Sequence, residues 1–206
     1  MIHLRRNEID AVIAAAEASS SRYGVNAGHY ANTLLSHIVG RAGELAAEMW
    51  FTGLGFTVAA HWRYKERERL CDIEVEKHRV EVKTWSARFW NDLGRCVAVG
   101  QVDAVSKKAG VVLWATVTPS ISTVDEWRSI TEVIVELKGY STMNDIREAP
   151  IRMTGPIGRQ VQNRQVDTIH RTGKLIDGIS RTVPCGFCKQ LGCLGPHVEE
   201  IHWLGT

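Results

Sequence analysis

Residues 71–85 read CDIEVEKHRVEVKTW, and their pattern says most about the architecture of the chain. Two runs rich in β-branched residues, DIEV and RVEVKTW, flank a polar turn near Glu76 to His78. Short β-rich runs on either side of a polar turn are typical of a β-hairpin. The stretch therefore predicts two antiparallel strands.

The hairpin presents charged side chains on one face. Alternation along a strand places Val80 in the core and Glu81 and Lys83 on the other side. A register with Val75 opposite Val80 places Asp72 opposite Lys83, and any turn of even length keeps Asp72 on the charged face.

Two carboxylates and one ammonium group on adjacent strands are within reach of one hydrated cation. Oxygen ligands suit Mg²⁺, and phosphodiester hydrolysis needs a cation, a more acidic water and a donor for the transition state. Asp72 and Glu81 supply the ligands of the cation, while Lys83 supplies the donor and polarises the water. The hairpin therefore predicts metal-dependent hydrolysis.

The hairpin is preceded by helical patterns. Residues 8–18 carry apolar side chains at helical spacing, with Asn7 as a cap, and a second helical pattern covers residues 27–51, as one helix or as two that meet near Gly40. The core stripe of the second pattern consists of Ile38, Ala42, Leu45 and Met49. Arg41, Glu44 and Glu48 share a different, polar face, on which Glu48 is expected to be exposed.

The other elements alternate between strand and helix. Residues 56–62 alternate like a half-buried strand, residues 95–108 predict a helix, and residues 111–117 and 131–140 predict buried strands. Strand, hairpin, helix and strand in this order predict an α/β fold in which a helix covers a mixed sheet.

The stretches GRAGELAAEMWFTGLGFTV (40–58), CDIEV (71–75) and VEVKTW (80–85) resemble the PD-(D/E)xK nuclease superfamily, particularly its restriction-endonuclease-like and Holliday-junction-resolvase-like members. The resemblance covers residues 38–117 and departs from the family pattern at Cys71, where a proline is common. It implies a restriction-endonuclease-like mixed β-sheet flanked by helices.

The same resemblance implies site roles. Asp72 and Glu81 correspond to Mg²⁺ ligands and Lys83 to the lysine that orients water or stabilises charge. Glu44 corresponds to the helix carboxylate that assists metal or water, and Gln101 to an active-site glutamine of some members. We then expect Mn²⁺ to replace Mg²⁺, and Ca²⁺ to bind without supporting turnover.

A rival site lies further along the chain. VIVELKGY contains Glu136 and Lys138 in the same Glu-x-Lys spacing, with Asp125 upstream. The intervening EWRSITE does not resemble a tight hairpin, and no helix that carries a glutamate leads into it, so we rank this site second.

The C-terminal part differs in composition. Residues 151–189 carry seven basic and two acidic residues, and the sequence divides into a nuclease core with N-terminal helices (1–150) and a basic segment with a zinc-binding element (151–206). Thiolates and imidazole are what tetrahedral Zn²⁺ selects. The predicted structural zinc ligands are Cys185, Cys188, Cys193 and His197, with His202 as the alternative fourth ligand.

Composition limits the function classes. The chain has 206 residues, 44% of them hydrophobic, and a net charge of only +2, which excludes a histone-like polycation. No apolar run approaches the ~20 residues of a membrane span, so a cytoplasmic protein is expected.

The resulting expectation is a Mg²⁺-dependent DNA endonuclease that acts as a homodimer, in a restriction-like or junction- or phage-type DNA-processing role. The alternatives are a non-catalytic, zinc-containing nucleic-acid-binding protein and a structural or assembly protein with a zinc-stapled tail.

Overall fold

The computed structural model describes residues 1–20, 33–63, 70–92, 94–154 and 160–182. The fold is mixed α/β, as the alternation of sequence patterns predicted. The elements in chain order are β1 (Ile2–Arg5), α1 (Arg6–Ser20), α2 (Thr33–Gly53), β2 (Val58–Ala59), β3 (Ile73–Val75), β4 (His78–Ser86), β5 (Cys96–Ala98), α3 (Val102–Lys108), β6 (Val111–Thr118), α4 (Val124–Ser129), β7 (Glu132–Thr142), α5 (Met143–Glu148), β8 (Ile151–Thr154), β9 (Val161–Gln165) and α6 (Thr172–Thr182).

Among the described strands, six form the main sheet in the order β1-β7-β6-β4-β3-β2. The pair β4 and β6 is parallel, while the other neighbours are antiparallel, so the sheet is mixed. A parallel pair needs a crossover connection, and the chain between β4 and β6 supplies it with β5 and α3.

Helices cover both faces of this sheet. Alternate side chains of β6, from Val111 to Val117, belong to a core shared with α1 and α2, and α6 adds Leu175 and Ile179 to it. The intervening Val112 and Trp114 belong to a second core with α3 and α5. Strand β6 is therefore buried on both sides, as its continuous apolar run predicts. Within the described residues, no helix has the length and apolar character needed to cross a bilayer.

Two local predictions were wrong. Of residues 56–62, only β2 is a strand, because the chain then turns into a short 3₁₀ helix in which the Trp62 N–H donates to the Asp72 carbonyl. The predicted helix over 95–108 begins at Val102, since β5 precedes it. The partner of β5 is β9, so tertiary pairing overrides the local pattern.

The described part of residues 151–182 is joined to the rest of the chain. Strand β9 pairs with both β5 and β8 in a second sheet. Helix α6 packs on the core of the main sheet through Leu175 and Ile179. The change in composition at Ile151 therefore does not coincide with a break in packing among these residues.

Candidate active site

The hairpin of β3 and β4 turns at Glu76 and Lys77, which both have positive φ (46° and 73°). Two central residues with positive φ suit the right-handed twist of a two-residue hairpin. The pairing joins Ile73 to Val80 and Val75 to His78.

The assumed register, with Val75 opposite Val80, was therefore wrong by two residues. Because the turn has even length, the shift preserves the faces. Continuation of the observed register places Asp72 across from Glu81 rather than from Lys83.

The Asp72 side chain extends the pairing beyond the end of the backbone ladder. Its Oδ2 accepts a hydrogen bond from the Val82 N–H at 2.8 Å. Asp72 itself is buried, with 6% of its surface exposed. This bond fixes the carboxylate against β4, one residue from Glu81.

Glu81 and Lys83 lie on one face of β4, as the alternation predicted. Lys83 Nζ donates to Glu81 Oε1 at 2.8 Å. The Glu81 side chain is 11% exposed and that of Lys83 is 29% exposed. The pair is therefore partly accessible from the solvent through its lysine.

Helix α2 approaches β4 at Gly43. A Cβ atom at this position would lie 1.8 Å from Thr84 Oγ1 and 2.9 Å from the Thr84 Cβ. Rotation of the Thr84 side chain does not move the Thr84 Cβ, so the contact between the two Cβ atoms would persist. Only glycine at position 43 permits this close approach. The helix is continuous through Gly40, and its next residue after Gly43 is Glu44.

Glu44 and Arg41 form a buried ion pair on α2. Arg41 Nη1 contacts Glu44 Oε2, and their side chains are 8% exposed or less. They were predicted on a polar helix face, which usually faces water; here that face is turned towards β4. Glu48 was predicted to be exposed but is only 22% exposed, because it binds Arg63 and the Trp62 indole N–H.

One cavity of about 490 Å³ joins these groups between α2, the hairpin and α3. Every residue predicted for the hydrolytic site lines it. These residues are Glu44, Asp72, Glu81, Lys83 and Gln101. Sequence reasoning missed three further charged or titratable lining residues, namely His37, Arg41 and Lys108.

The three carboxylates are held where ionisation is unfavourable. Burial raises the pKa of Glu44 well above its ordinary value, with a further rise from Asp72, and the opposing effect of Arg41 is smaller. Burial also raises the pKa of Asp72 and of Glu81, and the Asp72 charge raises that of Glu81 further. Like charges in a desolvated cavity favour either a proton or a cation.

Lys83 behaves in the opposite way. Burial disfavours its ammonium form, but the charges of Glu81 and Asp72 outweigh this effect and raise its pKa above the ordinary value. Lys83 is therefore protonated at neutral pH. It can donate hydrogen bonds and stabilise negative charge, and it cannot serve as a general base.

The donor chemistry fits a hard divalent cation. Mg²⁺ typically binds one or two carboxylates and keeps several waters, and Asp72 and Glu81 are two such carboxylates lining one cavity. Among the residues that the structure describes, no group of three or more His, Cys, Asp or Glu side chains is arranged as a metal cage. A site with two protein ligands completed by water or phosphate oxygens agrees with both observations.

The rival site has different surroundings. Lys138 Nζ lies 3.0 Å from Glu136 Oε1, but Glu136 is 50% exposed. Asp125 lies on α4, is 92% exposed and pairs with Arg128. The spacing that resembles Glu81 and Lys83 thus forms a surface ion pair, which contributes little to stability.

The predicted zinc ligands Cys185, Cys188, Cys193 and His197, with the alternative His202, lie outside the described residues. The zinc element therefore stays a prediction. Cys71 and Cys96, both outside that cluster, are buried cysteine thiols, as expected of small apolar residues.

The chain thus folds into a mixed sheet flanked by helices, with an acidic cavity beside β4. The finer restriction-endonuclease-like fold stays a prediction. Comparisons of the chain with protein-family models, with curated proteins and with solved structures found no match.

Proposed function

We propose that the protein is a Mg²⁺-dependent phosphodiesterase that cleaves DNA as an endonuclease. The observation that supports this proposal is the convergence of buried Glu44, Asp72 and Glu81 with protonated Lys83 on one cavity. A structural role does not require three carboxylates to be held where burial raises the pKa of each one.

In this proposal Asp72 and Glu81 would hold the cation, which would supply charge neutralisation at the phosphate and make a water molecule more acidic. Mn²⁺ has similar ligand preferences and should replace Mg²⁺.

Lys83 donates a hydrogen bond to a phosphate oxygen as negative charge develops there. Its hydrogen bond to Glu81 aims the ammonium group along the face of β4. The water oxygen forms a bond to phosphorus, and the bond from phosphorus to the leaving oxygen breaks. The leaving oxygen takes a proton from solvent.

Glu44 accepts the proton of the attacking water. A carboxylate whose pKa lies well above its usual range is a stronger base than an exposed one. Its contact with Arg41 opposes the rise in its pKa that burial causes. Gln101 is exposed at the cavity and is available to hydrogen-bond the same water or the substrate.

One active site of this kind can cleave only one DNA strand at a time. Cleavage of both strands of a duplex, or of two strands at a junction, then needs two copies of the chain, and a symmetric homodimer is the simplest arrangement. We include DNA as the partner and the homodimer in the proposal.

The decisive experiment compares supercoiled, linear and four-way-junction DNA in Mg²⁺, Mn²⁺, Ca²⁺ and EDTA. Cleavage is expected in Mg²⁺ and Mn²⁺ only, and Glu81→Gln should lower the rate by about 100-fold or more because a cation ligand is lost. Glu136→Gln is the matched control, since Glu136 pairs with a lysine two residues later but at the surface.

If no DNA is cleaved in any metal, while binding to DNA survives Glu81→Gln, the chain is a non-catalytic nucleic-acid-binding protein. Lack of salt-dependent DNA affinity would instead indicate an assembly protein.

A further inference from the structure

Arg41 has hydrogen-bonding capacity that the described protein residues do not use. Its surface is 5% exposed, and its Nη1 contacts Glu44. The Nε–H has no hydrogen-bond partner among the described residues. Buried guanidinium donors are normally satisfied, so this one requires an explanation.

Arg41 lines the cavity, so an anion held there would lie within reach of its guanidinium group. Arg41 lines the same cavity as the metal-binding carboxylates. Lys83 and Lys108 also line it, and both charges act on Asp72 and Glu81. Three cationic side chains therefore face three carboxylates.

This balance changes when a divalent cation occupies the cavity. The two added charges give an excess of positive charge in a desolvated space, which favours an anion. A planar guanidinium group matches two oxygens of a phosphate better than an ammonium group does.

We propose that Arg41 is the phosphate-binding residue of this cavity, and that it exchanges its hydrogen bond with Glu44 for the non-bridging oxygens of the substrate phosphate. The proposal rests on the proposed function for its substrate class. It adds that Glu44 competes with the substrate for the same guanidinium group.

The competition makes the test specific, because two neighbouring substitutions should act in opposite directions. The probe is thymidine 3′,5′-bisphosphate with Ca²⁺, titrated calorimetrically, so that binding is read without turnover. Glu44→Gln should bind the probe about threefold or more tightly, because Arg41 is no longer neutralised by a charge. The double variant Arg41→Gln/Glu44→Gln should bind it about tenfold or more weakly than Glu44→Gln.

The double variant replaces a buried ion pair by two amides, so no buried charge is left alone. The matched control is Arg63→Gln, since Arg63 also binds a glutamate of α2 but is 43% exposed and does not line the cavity. Its affinity should match that of the wild type. Thermal unfolding followed by circular dichroism verifies that each variant is folded.

Equal affinity of Glu44→Gln and the double variant would overturn the proposal, as would the absence of binding by the wild type. If the probe binds through Arg41 but no DNA is cleaved, the phosphate site stands and the hydrolytic function fails. Arg41→Lys, which keeps the charge and loses the fork, should bind the probe more weakly than the wild type; unchanged affinity would contradict bidentate recognition.

Discussion

The carboxylate of Asp72 accepts a hydrogen bond from the Val82 N–H at 2.8 Å, at the point where the backbone pairing of β3 and β4 has ended. The side chain therefore takes the place of a backbone carbonyl in the hairpin. The same carboxylate is buried beside Glu44 and Glu81, and its burial raises its pKa.

Asp72→Asn should separate these two roles. The asparagine carbonyl can accept the same hydrogen bond, while the buried charge is removed. In the absence of metal at pH 8 we expect the variant to melt a few degrees higher than the wild type, since ~1 kcal/mol corresponds to about 2–4 °C in a chain of this size. DNA cleavage should be lost in the same variant.

The stability difference should depend on pH with a defined sign. A carboxyl group whose folded-state pKa is raised binds more protons in the folded than in the unfolded state, so it stabilises the fold as pH falls through the raised pKa towards 3.8. The advantage of Asp72→Asn should therefore shrink as the pH is lowered from 8 towards 3.8. Thermal melts across this range measure it, and a difference that grows instead would contradict the burial argument.

The contact between α2 and β4 at Gly43 predicts that a larger residue there destabilises the fold, whereas Asp72→Asn should stabilise it. A methyl group at Gly43 meets Thr84, and we expect Gly43→Ala to destabilise the fold by about 1–3 kcal/mol. Gly40 lies on the same helix, and a methyl group added there would meet no neighbouring atom within 4 Å, so Gly40→Ala should stabilise by ~0.5–1 kcal/mol through helix propensity. Urea denaturation of the two variants compares them directly; equal stabilities would show that the strand is not held close to the helix.

The charged face of the hairpin was predictable because a strand has a period of two. That period alone placed Asp72, Glu81 and Lys83 on one side. The error in register amounted to two residues, so it left each of these side chains on the predicted face. Glu44 could be assigned only through a resemblance to a known family. It lies on a preceding helix, and no local pattern specifies which helix face meets β4.

Elements whose partners are distant in sequence were harder to predict. The sequence of β5 was predicted to form the beginning of a helix. Its pairing with β9 depends on residues that no local window contains. Arg41 was assigned to a polar face because helical spacing places it with Glu44 and Glu48, away from the apolar stripe. Its burial follows from the close approach of α2 at Gly43, which requires the position of Thr84.

The C-terminal cysteines predict a bound metal that does not depend on the cavity. Metal analysis of the purified chain should find about one Zn²⁺ per chain that survives mild chelation, as expected of a four-ligand structural site. Cys188→Ser should lose it without change in the affinity of the cavity for Mg²⁺. Cys71→Ser is the control, since Cys71 is a buried thiol outside the cluster. Retention of zinc by Cys188→Ser would contradict the ligand assignment.

The two Glu-x-Lys pairs of the main sheet provide the most direct test of which one is catalytic. Lys83 is protonated and lines the cavity, and removal of one aimed donor typically costs about 10²–10³ in turnover, so Lys83→Ala should lower kcat by that factor. Lys138→Ala removes a lysine at a similar distance from its glutamate, 3.0 Å against 2.8 Å, but that glutamate is half exposed and Lys138 does not line the cavity, so its kcat should stay within about twofold of the wild type. Steady-state cleavage of a labelled duplex in Mg²⁺ measures both. Loss of cleavage in Lys138→Ala with retention in Lys83→Ala would move the site to β7.

Because the pKa of Lys83 is raised, the lysine stays charged through the alkaline range. The wild type should therefore show no loss of activity from deprotonation of this lysine up to about pH 10 in the same cleavage assay.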